Sequence, residues 1–256
     1  MSNYMEIKND NGSVIINDTF ENISLTKKTV IDQQGSGTNN DTYKFCSNGY
    51  SNITVSTGDS NYPNWYYVLV PTQENIITFV SCLEPTVLVH MNDIYTYEKN
   101  LSAKRIEFFI PKDKTINNLL GKVIIYEFSY TTNTKSGSCG IQIFNASNKK
   151  IYDTNYKYLN IVNSISSFSN IDGTAFDVDN VAIHYGSMRH SVAEGQTQIN
   201  AQYYYCIRIN ENKTLSMIPV RVNFGQYSNN VWGVGYADNA NSAFYSPLLI
   251  ADVTNY

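Results

Sequence analysis

Three histidines are the first side chains to consider for chemistry, because imidazole serves both as a general base and as a metal ligand. They are His90, His184 and His190, and the last two fall in the segment HYGSMRH. In an extended strand, a spacing of six residues puts both rings on one face but about 20 Å apart, too far to share a metal directly. Gly186 could fold the segment back. We nevertheless expect polar-surface or hydrogen-bonded histidines and no metal site.

Acidic side chains gather in one loop, DGTAFDVDN, which holds Asp172, Asp177 and Asp179. Carboxylates at alternate positions of a loop can bind Ca²⁺, but the twelve-residue calcium-loop pattern with its final Glu is missing. We therefore expect an acidic turn that leads into the strand VAIHYG. The G-x-S-x-G, P-loop and H-E-x-x-H motifs are also missing from the sequence.

These observations predict a protein that is not an enzyme and that uses no cofactor. The enzymatic alternative is a glycosidase, whose two carboxyl groups face each other across a cleft. Such a pair leaves no motif in a sequence, since it depends on distance in the folded chain.

Aromatic side chains beside turns are the remaining candidates for a binding role. The segment NYPNWYY contains Tyr62 and Trp65, and GQYSNNVWGVGY contains Tyr227, Trp232 and Tyr236, all among Asn and Gly residues. Three uses are open, because aromatic rings stack on sugars, anchor a neighbouring subunit or pack in a core. We predict these five residues as interface or glycan contacts.

Strands must position these residues, because the hydrophobic pattern mostly has a period of two. Runs such as YYVLVPT, NIITFVS, AKRIEFFIP, KVIIYEFSY and QYYYCIRIN recur along the chain, and only PKDKTINNLLGK suggests a single helical turn. Short strands spaced by about 8–12 residues are typical of sandwiches and barrels. The sequence therefore predicts an all-β fold of antiparallel β-sandwiches, immunoglobulin-like or jelly-roll-like.

Composition narrows the choice of partner. The 256 residues carry a net charge of −4, only 16% of them are charged, and 21 are Tyr. A nucleic-acid partner would need a basic face, which this balance disfavours. No apolar run approaches the roughly 20 residues of a membrane-spanning helix, and the first residues lack the pattern of a signal peptide. We expect a protein made inside a cell and without membrane insertion.

The cysteines form no recognisable motif. Cys46, Cys82, Cys139 and Cys206 lie far apart, and no two of them make a C-x-x-C pair. We expect reduced, mostly half-buried thiols. Two disulfides are the alternative that the even count allows, and nothing in the sequence selects a pairing.

One phrase occurs twice, which suggests an internal duplication. NDNGSVIINDTFENISL, from Asn9, matches NASNKKIYDTNYKYLNI, from Asn145, without a gap. We call the constant offset that places Asn9 on Asn145 the repeat offset. A second correspondence, of 64–80 with 202–218, has a slightly longer offset. The alternative is that any two hairpins look alike in so biased a composition.

The predicted division of the chain follows from this repeat. The small, polar segment TTNTKSGSCG has the composition of a linker and precedes the second phrase. We predict one sandwich copy at 1–130, a linker at 131–138 and a second copy at 139–256, arranged in a row.

The stretch GIQIFNASNKKIYDTNYKYLNIV, residues 140–162, resembles a segment of small phage and prophage tail proteins. That family has a glycine, alternating apolar residues and an asparagine, then a turn, an aromatic–Asp–Ser step and a Lys-Tyr-Leu stretch. The matching residues are Gly140, Ile141, Ile143, Phe144, Asn145, Ile151, Tyr152, Asp153, Lys157, Tyr158 and Leu159.

The match departs from the family pattern at three positions. Tyr152 stands where Phe is usual, Thr154 where Ser is usual, and Asn148 where the turn glycine is usual. The amino-terminal phrase keeps Gly12 but has the residues Ile-Asn-Asp, 16–18, in place of the aromatic step. The resemblance is therefore confined to one segment, and it contains no catalytic group.

The resemblance implies a structural component of a bacteriophage virion, in the tail, tail tip or fibre attachment, assembled in the host cytoplasm. Its partners would be other tail proteins and further copies of the chain, in a homo-oligomer. Low charge and abundant Tyr agree with a protein that works through subunit contacts. The alternative is a carbohydrate-binding adhesin or receptor-binding tail protein, with a host surface glycan as its partner. It predicts a shallow aromatic groove with Asn or Asp at the rim.

Overall fold

The computed structural model describes the following residues: 6–8, 14–17, 22–36, 41–47, 54–56, 62, 64–71, 75–92, 103–130, 140–145, 147–148, 150–166, 170–185, 189–194, 199–224 and 247–256.

Most of these residues form strands, which confirms the all-β class. A 3-10 turn, Ile116–Asn118, lies inside the segment where one helical turn was predicted. The strands are β1 Glu6–Lys8, β2 Val14–Asn17, β3 Ile23–Ile31, β4 Cys46–Ser47, β5 Thr54–Ser56, β6 Asn64–Pro71, β7 Ile76–Cys82, β8 Leu88–Asn92, β9 Ala103–Ile110, β10 Val123–Tyr130, β11 Gln142–Phe144, β12 Lys150–Asp153, β13 Ile161–Ile165, β14 Val181–His184, β15 Arg189–Glu194, β16 Ile199–Ile209, β17 Leu215–Phe224 and β18 Leu248–Asp252.

Two large antiparallel sheets pack against each other, as the sequence predicts for a sandwich. One sheet has six strands in the order β13-β18-β14-β7-β10-β3. The other has the order β4-β6-β9-β8-β16-β17-β5, with β15 also beside β16. The hairpins β1–β2 and β11–β12 form two further, two-stranded sheets.

The main core lies between the two large sheets. Val80 and Ile125 face it from the six-stranded sheet, and Phe108 and Ile207 face it from the eight-stranded one, all with no more than a trace of exposure. Burying such side chains stabilises the fold by about 25 cal/mol for each Å² of apolar surface removed from water.

The outer faces of the central strands are apolar as well. On the six-stranded sheet, Phe79 and Phe128 meet edge to face with centroids 5.5 Å apart, and Tyr256 covers Phe128 at 5.7 Å. On the eight-stranded sheet, Leu88 and Phe109 lie in a third buried cluster. Because these strands are covered on both faces, polar and apolar residues do not alternate strictly in runs such as KVIIYEFSY.

Strands from both sides of the predicted linker share each large sheet. In the six-stranded sheet β7 meets β14 where Val80 lies opposite Ile183, and in the eight-stranded sheet β8 meets β16 where Val89 lies opposite Ile207. The two parts of the chain therefore build one common core. The proposed linker lies outside the described residues, and the boundaries at 130 and 139 stay a prediction.

One continuous segment contacts one outer strand of the six-stranded sheet and then forms the other. Leu25 N donates to Lys157 O at 2.7 Å and Leu159 N donates to Ile23 O at 2.9 Å, so residues 157–159 run beside β3. Only two residues later the same segment becomes β13, which pairs with β18.

The second sequence correspondence, between 64–80 and 202–218, is wrong. The strands β6 and β7 of the first segment lie in different sheets, whereas β16 and β17 of the second are neighbours in one sheet. The likeness came from composition, since an aromatic-rich strand, a polar turn and a second apolar strand occur in many β-proteins.

Three of the cysteines are buried thiols that form no disulfide, namely Cys46, Cys82 and Cys206, whereas Cys139 lies outside the described residues. Burial raises the pKa of the Cys82 thiol to about 12, so this group is a neutral thiol at physiological pH. In the part of the chain that the structure describes, no helix is long and apolar enough to cross a bilayer.

The shared core leads to a prediction about a nicked chain. If a protease site is inserted into 131–138 and cut after purification, we expect both fragments to elute together in size-exclusion chromatography at the mass of the uncut chain. They should separate only in denaturant, because the apolar surface of each fragment is buried against the other. Two fragments that elute independently in native buffer would contradict the shared core.

Candidate functional site: the second hairpin

The hairpin β11–β12 holds most of the residues that resemble the tail-protein segment. Gln142 lies opposite Asp153, Ile143 opposite Tyr152 and Phe144 opposite Lys150. The register shift between the last two pairs leaves Ile151 as an extra residue, which makes a β-bulge.

The turn of this hairpin is built from asparagines. Asn145 Oδ1 accepts a hydrogen bond from Ser147 N at 3.0 Å, and Asn145 O accepts one from Asn148 N at 2.9 Å. Asn148 has φ of 58°, in the left-handed region, which Asn tolerates better than most residues. Asn148 thus takes a backbone conformation that glycine often supplies in turns.

Gly140 closes the base of the hairpin, where only glycine fits. Its φ is +127°, and a Cβ there would collide with Thr154 Oγ1. Thr154 Oγ1 instead accepts a hydrogen bond from Ile141 N at 2.9 Å, while Thr154 N donates to Ile141 O at 3.0 Å. The hydroxyl of Thr154 therefore helps to close the base of the hairpin.

Asp153 is the electrostatic centre of the hairpin, and its side chain has no exposed surface. Its Oδ2 accepts from Gln142 Nε2 at 2.9 Å and from Lys150 Nζ at 2.8 Å. Its Oδ1 accepts from Asn155 N at 2.9 Å and from Asn155 Nδ2 at 2.7 Å. Four donors around one carboxylate make a buried charge tolerable.

These donors change how Asp153 titrates. Burial by itself would raise the pKa of the carboxyl, but Lys150 and the two Asn155 bonds outweigh it and lower the pKa from 3.8 to about 2. Asp153 is therefore ionised over the whole physiological range, and the hairpin is held by a permanent charge.

Tyrosines connect the hairpin to the following chain. The rings of Tyr152 and Tyr158 stack with centroids 5.0 Å apart. Tyr158 Oη accepts from Asp153 N at 2.6 Å, and the hydroxyl lies 3.1 Å from Asp153 O. Since Tyr158 also lies opposite Ser24 of β3, the hairpin is fixed to the six-stranded sheet.

Four large apolar side chains in this hairpin and in the strand that follows it are exposed. Ile141 is 64% exposed, Phe144 47%, Ile161 40% and Val162 39%. We call these four residues the hairpin surface. Ile141 and Phe144 belong to the tail-protein resemblance, but nothing in the sequence marks Ile161 and Val162 as exposed, since they look like any apolar strand.

Among the side chains that the structure describes, the predicted chemical residues lie elsewhere and do not come together, and the side chain of His190 is outside that set. His90 is fully buried in β8, and His184 Nδ1 lies 2.8 Å from Thr78 O. In the acidic loop, Asp172 accepts from Met217 N at 2.7 Å and Asp179 pairs with Lys213 at 3.1 Å. Among the described side chains, no three His, Cys, Asp or Glu residues are placed to hold a metal ion.

Two of the five predicted aromatic contacts can be located. Tyr62 is 9% exposed and shares a buried cluster with Phe109, on which Trp65 stacks at 5.4 Å. The Arg105 guanidinium lies 5.7 Å from the Trp65 ring. Both side chains thus pack within the protein.

The other three predicted aromatic residues, Tyr227, Trp232 and Tyr236, lie outside the described residues, and their role as interface or glycan contacts stays a prediction.

A shallow groove lies at one end of the sandwich and has a volume of about 190 Å³. Leu83 and Phe176 supply apolar surface, and Asn180, Asn210 and Lys213 are among its polar neighbours. The side chain of Asn210 already has hydrogen-bond partners within the protein, namely Arg208, Thr214 and Ser216. The groove thus offers one partly buried aromatic ring beside amides.

Comparisons with family models, with curated proteins and with solved structures found no match to this chain.

The low pKa of Asp153 predicts acid sensitivity. Because the folded pKa lies below that of the unfolded chain, Asp153 stabilises the fold above about pH 4, and this stabilisation is lost as the pH falls toward about 2. We expect Asp153→Asn to lower the free energy of unfolding at pH 7 by about 1–3 kcal/mol, since the four donors lose a charged acceptor. Thermal melts between pH 7 and pH 2 measure both effects.

Two comparisons separate the contribution of Asp153 to acid sensitivity from that of other carboxylates. Glu84, whose pKa is also lowered to about 2 by Lys114 and Lys122, contributes equally in both proteins and cancels in the difference. Asp113→Asn, at an exposed carboxylate, is the matched control and should leave the melting curve unchanged. Equal acid dependence of the parent and Asp153→Asn would show that the hairpin carboxylate does not act as described.

Proposed function

We propose that this protein is a non-enzymatic structural component of a bacteriophage virion, in the tail, tail tip or fibre attachment. It acts by binding other copies of itself through the hairpin surface and is assembled into the particle in the host cytoplasm. The observation that carries the proposal is that the segment resembling tail proteins is a rigid hairpin with Ile141 and Phe144 exposed.

The hairpin has the mechanical properties of a docking element. Its backbone is fixed by the Asp153 bonds and by the contacts of 157–159 with β3, so little conformational entropy remains to be lost on binding. Its exposed side chains are apolar and large. Large exposed apolar side chains of this kind are candidates for contact with a partner.

Charge favours a second copy of the chain as the partner. Residues 140–148 and 158–171 contain no Asp, Glu, Lys or Arg. When identical surfaces meet about a two-fold axis, a charge close to the axis faces its own copy, so an uncharged surface avoids this repulsion. The opposite edge of the six-stranded sheet, β3, has Lys27 and Lys28 and is less suited to self-contact.

Carbohydrate binding is the second candidate, and the end groove supports it. The adhesin hypothesis predicted a shallow aromatic groove with amides at the rim, and Phe176 beside Asn180 has this character. One partly buried ring offers a sugar little stacking surface, so we rank this function below assembly.

Light scattering coupled to size-exclusion chromatography tests the assembly proposal. We expect the full-length chain to elute as an oligomer, and the double variant Ile141→Ser, Phe144→Ser to shift toward the monomer mass, because the apolar contact area is lost. Since both residues are exposed, the variant should keep the thermal stability of the parent.

Leu83→Ser is the matched control, because Leu83 is 48% exposed but lies in the end groove. It should retain the oligomer. A parent chain that is monomeric at all concentrations would overturn assembly through the hairpin surface and would direct the search to a glycan array. Equal loss of the oligomer in the control would show that the hairpin is not the contact.

A further inference from the structure

The two hairpins share one register at the repeat offset found in the sequence. Each pair of the first hairpin has its counterpart in the second at this offset, and the bulge residues Ile15 and Ile151 are related by it too. The pairs are Glu6–Asn17, Ile7–Ile16 and Lys8–Val14 in the first hairpin, and Gln142–Asp153, Ile143–Tyr152 and Phe144–Lys150 in the second.

The strand after each hairpin repeats a second irregularity. In β3, the pairs with β10 step over Thr26, which is the extra residue of a bulge. In β13, the pairs with β18 step over Val162 in the same way. Thr26 and Val162 are again related by the repeat offset, although a bulge adds one unpaired residue and can occur at any position of a strand.

Strand order repeats as well. From the first part of the chain, the neighbouring strands in the six-stranded sheet are β3, β10 and β7, in that order. Along the chain, β10 is the last of these three strands and β7 the middle one. From the second part, the neighbouring strands are β13, β18 and β14, in that order, and β18 is again the last along the chain and β14 the middle one. The two sets of three meet in the centre, where β7 and β14 run antiparallel.

The registers identify which residues of the middle strands correspond. Leu25 lies opposite Phe128, which lies opposite Ile77. In the second part, Ile161 corresponds to Leu25. Ile161 lies opposite Ala251, which lies opposite Ala182. Ile77 therefore corresponds to Ala182, and two residues farther along each strand Phe79 corresponds to His184.

Corresponding residues contact each other in two separate places. The rings of Phe79 and His184 are 5.4 Å apart, at the junction of β7 and β14. Ile23 and Leu159, which are related by the repeat offset, are joined by a hydrogen bond of 2.9 Å at the other junction. A residue meets its own counterpart only where a two-fold axis passes, as in an isologous dimer.

We propose that the hairpins and the six-stranded sheet form a two-fold dimer of one structural unit carried within a single chain, with the axis passing by Phe79 and His184 and by Ile23 and Leu159. The surface of each unit at this junction fits a second copy of the same unit. In the eight-stranded sheet the four central strands, β9-β8-β16-β17, have a matching order, since β8 and β9 lie between β7 and β10 in the chain as β16 and β17 lie between β14 and β18. Its outer strands β4, β5 and β6 all come from the first part of the chain and have no counterpart there among the described residues. The inference is independent of what the protein binds.

Transplantation of one hairpin into the other place tests the proposal in the full-length chain. In the matched variant, residues 4–25 are replaced by a copy of 140–161, which brings all the Asp153 partners with it and keeps both bulges in place. We expect cooperative thermal unfolding, with a midpoint within about 10 °C of the parent, followed by circular dichroism.

The control variant differs by one residue, with 141–162 placed at 4–25. This slip moves the bulge and turns the side chains of the strand to opposite faces, so we expect a much lower midpoint or no cooperative transition. Any added tendency to associate is common to both variants. Similar midpoints in the two variants, or a lower midpoint in the matched one, would overturn the two-fold relation.

Discussion

The contact between the first and second parts of the chain is the constraint on which the rest of the structure depends. Each large sheet is completed by a junction of two strands that are far apart in sequence, with Val80 opposite Ile183 in one and Val89 opposite Ile207 in the other. All four side chains are buried, so neither sheet can separate there without exposing the core to water. The fold forms as a whole because its two parts lack complete sheets of their own.

The proposed function uses this rigidity. The chain passes from the Asp153 hairpin directly to residues 157–159 against β3 and then to β13 against β18, so the segment after the hairpin contacts one outer strand of this sheet and forms the other. Side chains held on such a base keep a fixed geometry for a partner. In the proposed function, the buried charge, the tyrosine stacking and the exposed apolar residues together present a stiff apolar surface.

The sequence predicted the individual strands and hairpins but not the pairing between strands that are far apart in the chain. The period of two gave the strands, and the repeated phrase correctly located two hairpins in one register. It did not show that β7 would join β14, since pairing between remote strands depends on packing that no short pattern encodes. Trp65, predicted as an interface or glycan contact, stacks on Phe109, which lies opposite it in the pairing of β6 with β9. Asp153 was noticed only through the resemblance, and its four donors come from residues whose types are common throughout the chain.

Differential scanning calorimetry of the intact chain tests the central claim, that both parts share one core, most directly. A shared core predicts a single transition whose calorimetric and van't Hoff enthalpies agree, as expected for one cooperative unit. Two resolved transitions, or a calorimetric enthalpy about twice the van't Hoff value, would show two independently folding sandwiches and would contradict it.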